Sequence, residues 1–202
     1  MKNILLALSC LFALSIVACN KNDGLKLQPH DQNQMMSLMH QMMSKMDTMH
    51  KTNDPEIDFS NMMKMHHQGA IDMANLELEQ GKSDSLKRSA QKIINEQQAE
   101  IQQFTTILTT LTVDNSDPFF TQEQTDNMMK GGKIADEQII TGDIDNDFAT
   151  LMIVHHQGAI DNASAYLHHG NNTQLKTMAN NIIMSQTKEI AELADWLKAN
   201  KR

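Results

Sequence analysis

Cysteine is almost missing from this chain. Of 202 residues only Cys10 and Cys19 are thiols, and both fall within or beside an apolar leader. Lys2 supplies a positive start, Ile4–Val17 an apolar run, and Ile16-Val17-Ala18-Cys19 reads as a lipoprotein cleavage box. Residues 1–18 are therefore expected to be a signal peptide. Cys19 would then be acylated, anchoring an exported protein to a membrane of the cell envelope; the apolar run is too short to span a bilayer. The mature chain of about 184 residues keeps no free thiol, which excludes disulfides, zinc ribbons, thiol nucleophiles, iron–sulfur clusters and c-type haem. Any metal chemistry must come from His, Met, Asp or Glu.

Proline (3), glycine (8) and aromatics (4%) are also scarce. Strand-rich sandwiches and barrels depend on such residues, so helices are expected. Basic charge is short as well: the net charge of −8 becomes −9 once Lys2 leaves with the leader, which argues against a nucleic-acid partner. The chain has no phosphate loop, no nucleophile elbow and no Ser/His/Asp ordering. No organic cofactor and no catalytic residue is indicated.

What is abundant is methionine, 17 residues of it, together with an internal repeat. HHQGAID occurs at His66–Asp72 and again at His155–Asp161. Offsetting the chain by that spacing aligns Asp58–Leu108 with Asp147–Leu197 without a gap, and about 22 of 51 positions are identical. Met35, Met39, Met42, Met46 and Met49 step by four and three, so they form one thioether stripe on a helix.

These signals divide the chain into a tether and Met-rich helix (19–57), repeat one (58–111), a crossover with a short helix (112–146), and repeat two (147–202). Asp54-Pro55 suits a helix start. Gly81 and Gly170 are expected to stop helices in the left-handed conformation, with Ser83 and Thr173 capping the next ones. Each repeat is then a helical hairpin. The expected fold is all-α, a ferritin-like four-helix bundle of two duplicated hairpins plus the extra N-terminal helix, with the two His-bearing helices antiparallel. Gly131-Gly132 should weaken the crossover helix, placed near 122–140.

The candidate metal ligands are Met62, Met63, His66, His67 and Met73 in repeat one, and Met152, His155 and His156 in repeat two. Met63 with His67, Met62 with His66, and Met152 with His156 lie one turn apart on a helix. Adjacent histidines diverge by about 100°, so His66 and His67 cannot point along one radius. Thioether and imidazole donors select Cu(I), and imidazole also accepts Cu(II). A secondary site is drawn from Met35, Met39, His40, Met42, Met43, Met46, Met49 and His50, although the stripe also suits adaptable core packing. Asp72, Asp161, Glu100 and Glu189 are duplicated carboxylates expected to support the ligands by hydrogen bonds. His168-His169 reads as a solvated helix end. Asp143-Ile144-Asp145-Asn146-Asp147 resembles the start of a calcium loop but lacks the glycine and glutamate such a loop needs.

At these residues the chain resembles domain-of-unknown-function family 305. Asp58-Phe59, Met63, His66-His67, Ala70-Ile71 and Met73-Ala74 carry its pattern, and Asp147-Phe148, Met152, His155-His156, Ala159-Ile160 and Ala163 repeat it. Gln97 with Glu100-Ile101 and Gln186 with Glu189-Ile190 and Trp196-Leu197 match its later element. Phe104 and Leu193 stand where a methionine is usual, and Asn162 replaces the motif's last one. The resemblance implies an exported ferritin-like bundle with copper-binding members that use Met and His. Residues and resemblance together lead to an envelope lipoprotein that binds copper, Cu(I) first, for sequestration, resistance or delivery, with a copper-transfer partner or a second copy as possible protein contacts. Two other readings stay open. One is a dinuclear oxidase, which needs Glu100 and Glu189 within reach of both His pairs. The other is a metal-free adaptor, which needs His66 and His67 in solvent.

Overall fold

A computed structural model describes residues 26–201; the leader and Cys19 lie outside them. The order is a single 3-10 turn (His30–Gln32), then α1 (Gln34–Asp47), α2 (Pro55–Gln80), α3 (Asp84–Leu108), α4 (Pro118–Asp136), α5 (Ile144–His169) and α6 (Thr173–Ala199). Side chains cap each of the six. Asn33 accepts from Met36 N, Asp54 from Glu56 N and Ile57 N, Ser83 from Leu86 N, Asp117 from Phe119 N and Phe120 N, and Asp143 from Asn146 N. These bonds satisfy amides that a helix start otherwise leaves unpaired. Asn172, not Thr173, caps α6. Gly131 and Gly132 lie within α4 without interrupting it.

Gly81 and Gly170 do stop α2 and α5, but for a different reason than expected. Their φ values are −62° and −72°, so neither is left-handed. A Cβ at Gly81 would collide with the Glu77 side chain, and one at Gly170 with the Tyr166 ring. The requirement is space for a buried neighbour.

The repeat begins earlier than Asp58. Asp58 Oδ1 accepts from Thr52 N and Oγ1, and Oδ2 from Asn53 N. Asp147 does the same with Thr141 and Gly142. Asn53 (φ 62°) and Gly142 (φ 77°) occupy matching left-handed positions, which glycine adopts freely and asparagine tolerates. The aspartates that mimic a calcium loop are thus consumed locally: Asp143 caps α5 and Asp147 holds the turn before it.

Asp145 reaches further, accepting from Lys82 N and Ser83 N at the α2–α3 turn. Its counterpart Glu56 accepts from Asn171 N and Asn172 N at the α5–α6 turn. The start of each central helix therefore closes the far end of the other, which makes α2 and α5 antiparallel about a pseudo-two-fold axis. The two ends differ in one group. Tyr166 lies 3.5 Å from Glu56, whereas at the other end Glu77, fully buried, faces Asp145. Burial, and then the Asp145 charge, push the Glu77 carboxyl up to about 8. A protonated Glu77 donates to Asp145, supplying the partner its oxygens otherwise lack.

The raised value means that the folded state keeps a proton which the unfolded chain releases above pH 4.5. Stability is intact below that pH, falls as pH rises from about 4.5 to 8, and is then level. Glu77→Gln is expected to match the parent near pH 4 and to exceed it by a few kcal/mol (at most about 5) at pH 9. Urea unfolding of both proteins across that range reads the difference. A pH-independent gap would rule out a shared proton.

Each hairpin packs tightly, α2 on α3 and α5 on α6, and the hairpins join through α2 and α5. α3 and α6 stand further apart and are bridged by side chains, Lys92 to Glu189 at 3.1 Å and Trp196 Nε1 to Ser83 Oγ at 3.1 Å. This is the four-helix bundle. α1 and α4 cover its outer α2/α5 face as one layer, so the crossover helix is the counterpart of the Met-rich helix. The layer is pinned at both ends. Asn33 Nδ2 donates to Asp147 Oδ2 (2.7 Å) and Thr121 Oγ1 to Asp58 Oδ2 (3.1 Å). Among the described residues no helix is long and apolar enough to cross a membrane.

Candidate metal centre

α2 and α5 are covered on both sides, by α1/α4 and by α3/α6. A one-residue step turns a helix by about 100°, so each His-His pair divides between the two layers. His66 and His155 meet across the pseudo-two-fold axis with ring centroids 3.7 Å apart. They are 1% and 2% exposed. His155 Nε2 lies 3.1 Å from the His66 carbonyl oxygen. Donation to that oxygen puts the proton on Nε2 and leaves Nδ1 with its lone pair. Neither His66 Nδ1 nor His155 Nδ1 has a hydrogen-bond partner. Burial first, and neighbouring imidazoles second, hold both pKa values well below the ordinary histidine range. Both rings are neutral imidazoles, the form that ligates metals.

Thioethers cover this pair. Met39, Met42 and Met43 of α1 and Met128 of α4 line a small cavity together with His66 and His155. Met43 and Met128 also belong to an adjoining open cleft lined by Met46, Met49, Met62 and Met129 together with Asp47, Lys51, Gln124 and Thr125. Sequence reasoning gave no role to Met128 and Met129. The signal was available, because the repeat offset that superposes the histidines also carries Met39 onto Met128.

The other face is chemically different. His67 Nε2 lies 2.7 Å from Glu100 Oε2, and His156 Nε2 lies 3.0 Å from Glu189 Oε2. Both histidines are fully buried. Glu189 also meets Lys92. Burial alone would raise the Glu189 carboxyl, but His156 and Lys92 outweigh it and hold the group at about 2. Gln97 and Gln186, each 2% exposed, are buried on the same helices with no partner for either amide atom. They too were not foreseen as site residues, although both belong to the repeated Gln-x-x-Glu.

The sequence-derived residues therefore separate. Met63 and Met152 are fully buried one turn before His67 and His156, and Met73 is core, lining neither methionine cavity. Met35 and Met36 likewise pack in the core. His40 turns outward to Asp136 (2.8 Å), and His50 is exposed in the loop after α1. Asp72 and Asp161 do not support a histidine. Asp72 accepts from Gln68, and Asp161 from Gln157 and Lys130, because position i+4 on an outer face is closer than the buried rings. His169 is tied rather than solvated, pairing with Asp117 (2.7 Å), which caps α4, and Glu123 (3.2 Å) within it. The adaptor reading required His66 and His67 in solvent, and both are buried. For the oxidase reading, Glu100 and Glu189 within bonding reach of both His pairs were the sign to look for; Glu100 meets His67 and Glu189 meets His156, one histidine of each pair and each within its own hairpin. Among the described residues no three His, Cys, Asp or Glu side chains converge as a metal site.

Residues 18–108 and 56–197 match the family model described as Domain of unknown function (DUF305). No curated protein sequence matches the chain. Solved structures do. CopM in the Cu(I)-bound form is 26% identical, with a TM-score of 0.55 over 73% of this chain and 98% of CopM. CopM in the Cu(II)-bound form is 28% identical, with a TM-score of 0.56 over 71% and 96%. A DUF305 protein from Streptomyces coelicolor shares the fold at 22% identity, with a TM-score of 0.58 over 74% and 95%. The first matched segment takes in α1, α2 and α3, and the second runs from the start of α2 through most of α6.

Proposed function

Because this chain belongs to the DUF305 family, we propose that it is a copper-binding protein of the cell envelope that carries Cu(I) as cargo between His66, His155 and the methionines of α1 and α4. One observation carries the reading. Two neutral, buried imidazoles with unpartnered Nδ1 atoms line the same cavity as four thioethers. That donor set is soft and thiol-free, and it suits Cu(I) in an oxidising compartment where cysteines would be lost to disulfides. CopM, similar over most of its length, has been solved with Cu(I) and with silver bound, which supports the same cargo here.

The methionine cleft opens toward the surface between α1 and α4 and adjoins the His66/His155 cavity, an arrangement suited to taking up an ion and passing it inward. Export and an acyl anchor at Cys19 place this activity at a membrane, serving sequestration or delivery to a transfer partner. The proposed activity is binding, not catalysis. The test uses the chain without its leader in a Cu(I) competition titration against a colorimetric chelator, with X-ray absorption on the loaded protein. At least one retained equivalent with mixed sulfur and imidazole scattering is expected. Loss of all copper to the chelator, or a shell without sulfur, would overturn the reading.

A further inference from the structure

We infer that the opposite face of the same two helices forms a second, independent site, an N/O-donor site for a divalent cation of the Cu(II) or Zn(II) type. It is built on His67, Glu100 and Gln97, with a weaker twin at His156, Glu189 and Gln186. The inference does not depend on the soft-metal reading, since none of these residues lines the methionine cavities.

The geometry of the His–Glu contacts carries it. An ordinary buried ion pair aims the ring N–H at the carboxylate. Here His67 Nε2 and Glu100 Oε2 are 2.7 Å apart, yet neither ring nitrogen of His67 makes a hydrogen bond, and the same holds for His156 beside Glu189 at 3.0 Å. Two donors that close and not bonded to each other are placed as neighbouring ligands of a third atom. Donors at right angles around an ion about 2.0 Å away, the tetragonal geometry of Cu(II), stand about 2.8 Å apart.

Gln97 is the second, separate observation. It lies three residues before Glu100, hence on the same face of α3, and is 2% exposed with both amide atoms unpartnered. Leaving a buried amide unsatisfied is costly, and an ion that binds its carbonyl oxygen removes part of that cost. Imidazole, carboxylate and amide oxygen make a borderline-to-hard set that favours a divalent ion over Cu(I).

The halves are unequal. Lys92 already occupies Glu189 Oε1 at 3.1 Å. The repeat offset puts the exposed Asn181 where a lysine would serve Glu100. The first half therefore lacks the built-in cation that the second half has.

The probes are Zn(II) by calorimetry, Cu(II) by electron paramagnetic resonance, and Ag(I) as the soft control, all on the chain without its leader. One strong Zn(II) equivalent is expected. Glu100→Gln keeps the side-chain size and should weaken Zn(II) about 100-fold or more, a loss beyond that of removing a supporting hydrogen bond; it should also change the Cu(II) signal and leave Ag(I) binding unchanged. Lys92→Met should add a second Zn(II) equivalent. His66→Ala/His155→Ala should leave Zn(II) binding intact, so failure of this site and failure of the copper reading register separately. Unchanged Zn(II) affinity in Glu100→Gln, or no Zn(II) binding by the parent, would make the contacts buried ion pairs only. No added equivalent in Lys92→Met would remove the twin.

Discussion

Exchanging both His66 and His155 for alanine abolishes tight Cu(I) binding and leaves the helical bundle folded. The two rings are the only nitrogen donors among the side chains described as lining the small methionine cavity, apart from the amide of Asn127. Removing both leaves thioethers alone, and a loss of about 4 kcal/mol, or roughly 1,000-fold in affinity, is expected. The structural cost is limited for a specific reason. Each ring leaves a void, which destabilises, but each also carries a buried Nδ1 without a partner, and removing an unsatisfied polar atom returns part of that cost. Circular dichroism establishes that the fold survives, and chelator competition reads the affinity. An unchanged Cu(I) constant would show that the His66/His155 pair is a packing feature and that copper, if bound, sits in the outer cleft.

Asp147→Ala lowers the stability of the bundle by about 4 kcal/mol, beyond the usual range for a single substitution. Asp147 is fully buried. Its carboxylate accepts from Thr141 N (2.9 Å), Thr141 Oγ1 (3.0 Å), Gly142 N (2.8 Å) and Asn33 Nδ2 (2.7 Å). Hydrogen bonds to a charged acceptor contribute about 1.5–3 kcal/mol each, and donors stranded in the interior add a penalty. The first three bonds hold the turn that starts α5, and the fourth holds the start of α1. The variant should therefore also loosen the layer bearing Met39, Met42 and Met43, and weaken Cu(I) even where the chain remains folded. Asp58→Ala, with its bonds to Thr52, Asn53 and Thr121, should cost a similar amount. Urea midpoints of the three proteins measure it. A shift worth less than about 1 kcal/mol would show that the turns are held by something other than these carboxylates.

The hairpins, their antiparallel pairing and the stops at Gly81 and Gly170 were legible because periodicity, caps and glycines are local signals. The reason for the stops was not. The side chains of Glu77 and Tyr166 that exclude a Cβ there take their places only once each hairpin closes on the other's helix start. The role of Asp145 was hidden for the same reason, since its partners Lys82 and Ser83 lie far away in the chain. α4 was misjudged more seriously. It was expected as a short helix near 122–140 weakened by Gly131-Gly132, whereas it runs unbroken over Pro118–Asp136, forms one layer with α1 and brings Met128 and Met129 to the cleft. Met128 and Met129 lie in the crossover between the repeats, outside the methionine-rich segment near the start of the chain.

The sequence by itself determined that this is a duplicated helical protein whose two cysteines both lie within its first 19 residues, with soft donors gathered near two His-His pairs. It also required the members of each pair to part company, because consecutive residues on a helix cannot share a direction. Only the tertiary structure decided where each one goes. Packing α2 antiparallel against α5 brings His66 against His155 beneath the methionines and turns His67 and His156 toward glutamates of their own hairpins. The physical reason is that ligand chemistry belongs to the space between helices, and which faces enclose that space depends on how α1, α3, α4 and α6 distribute around the central pair.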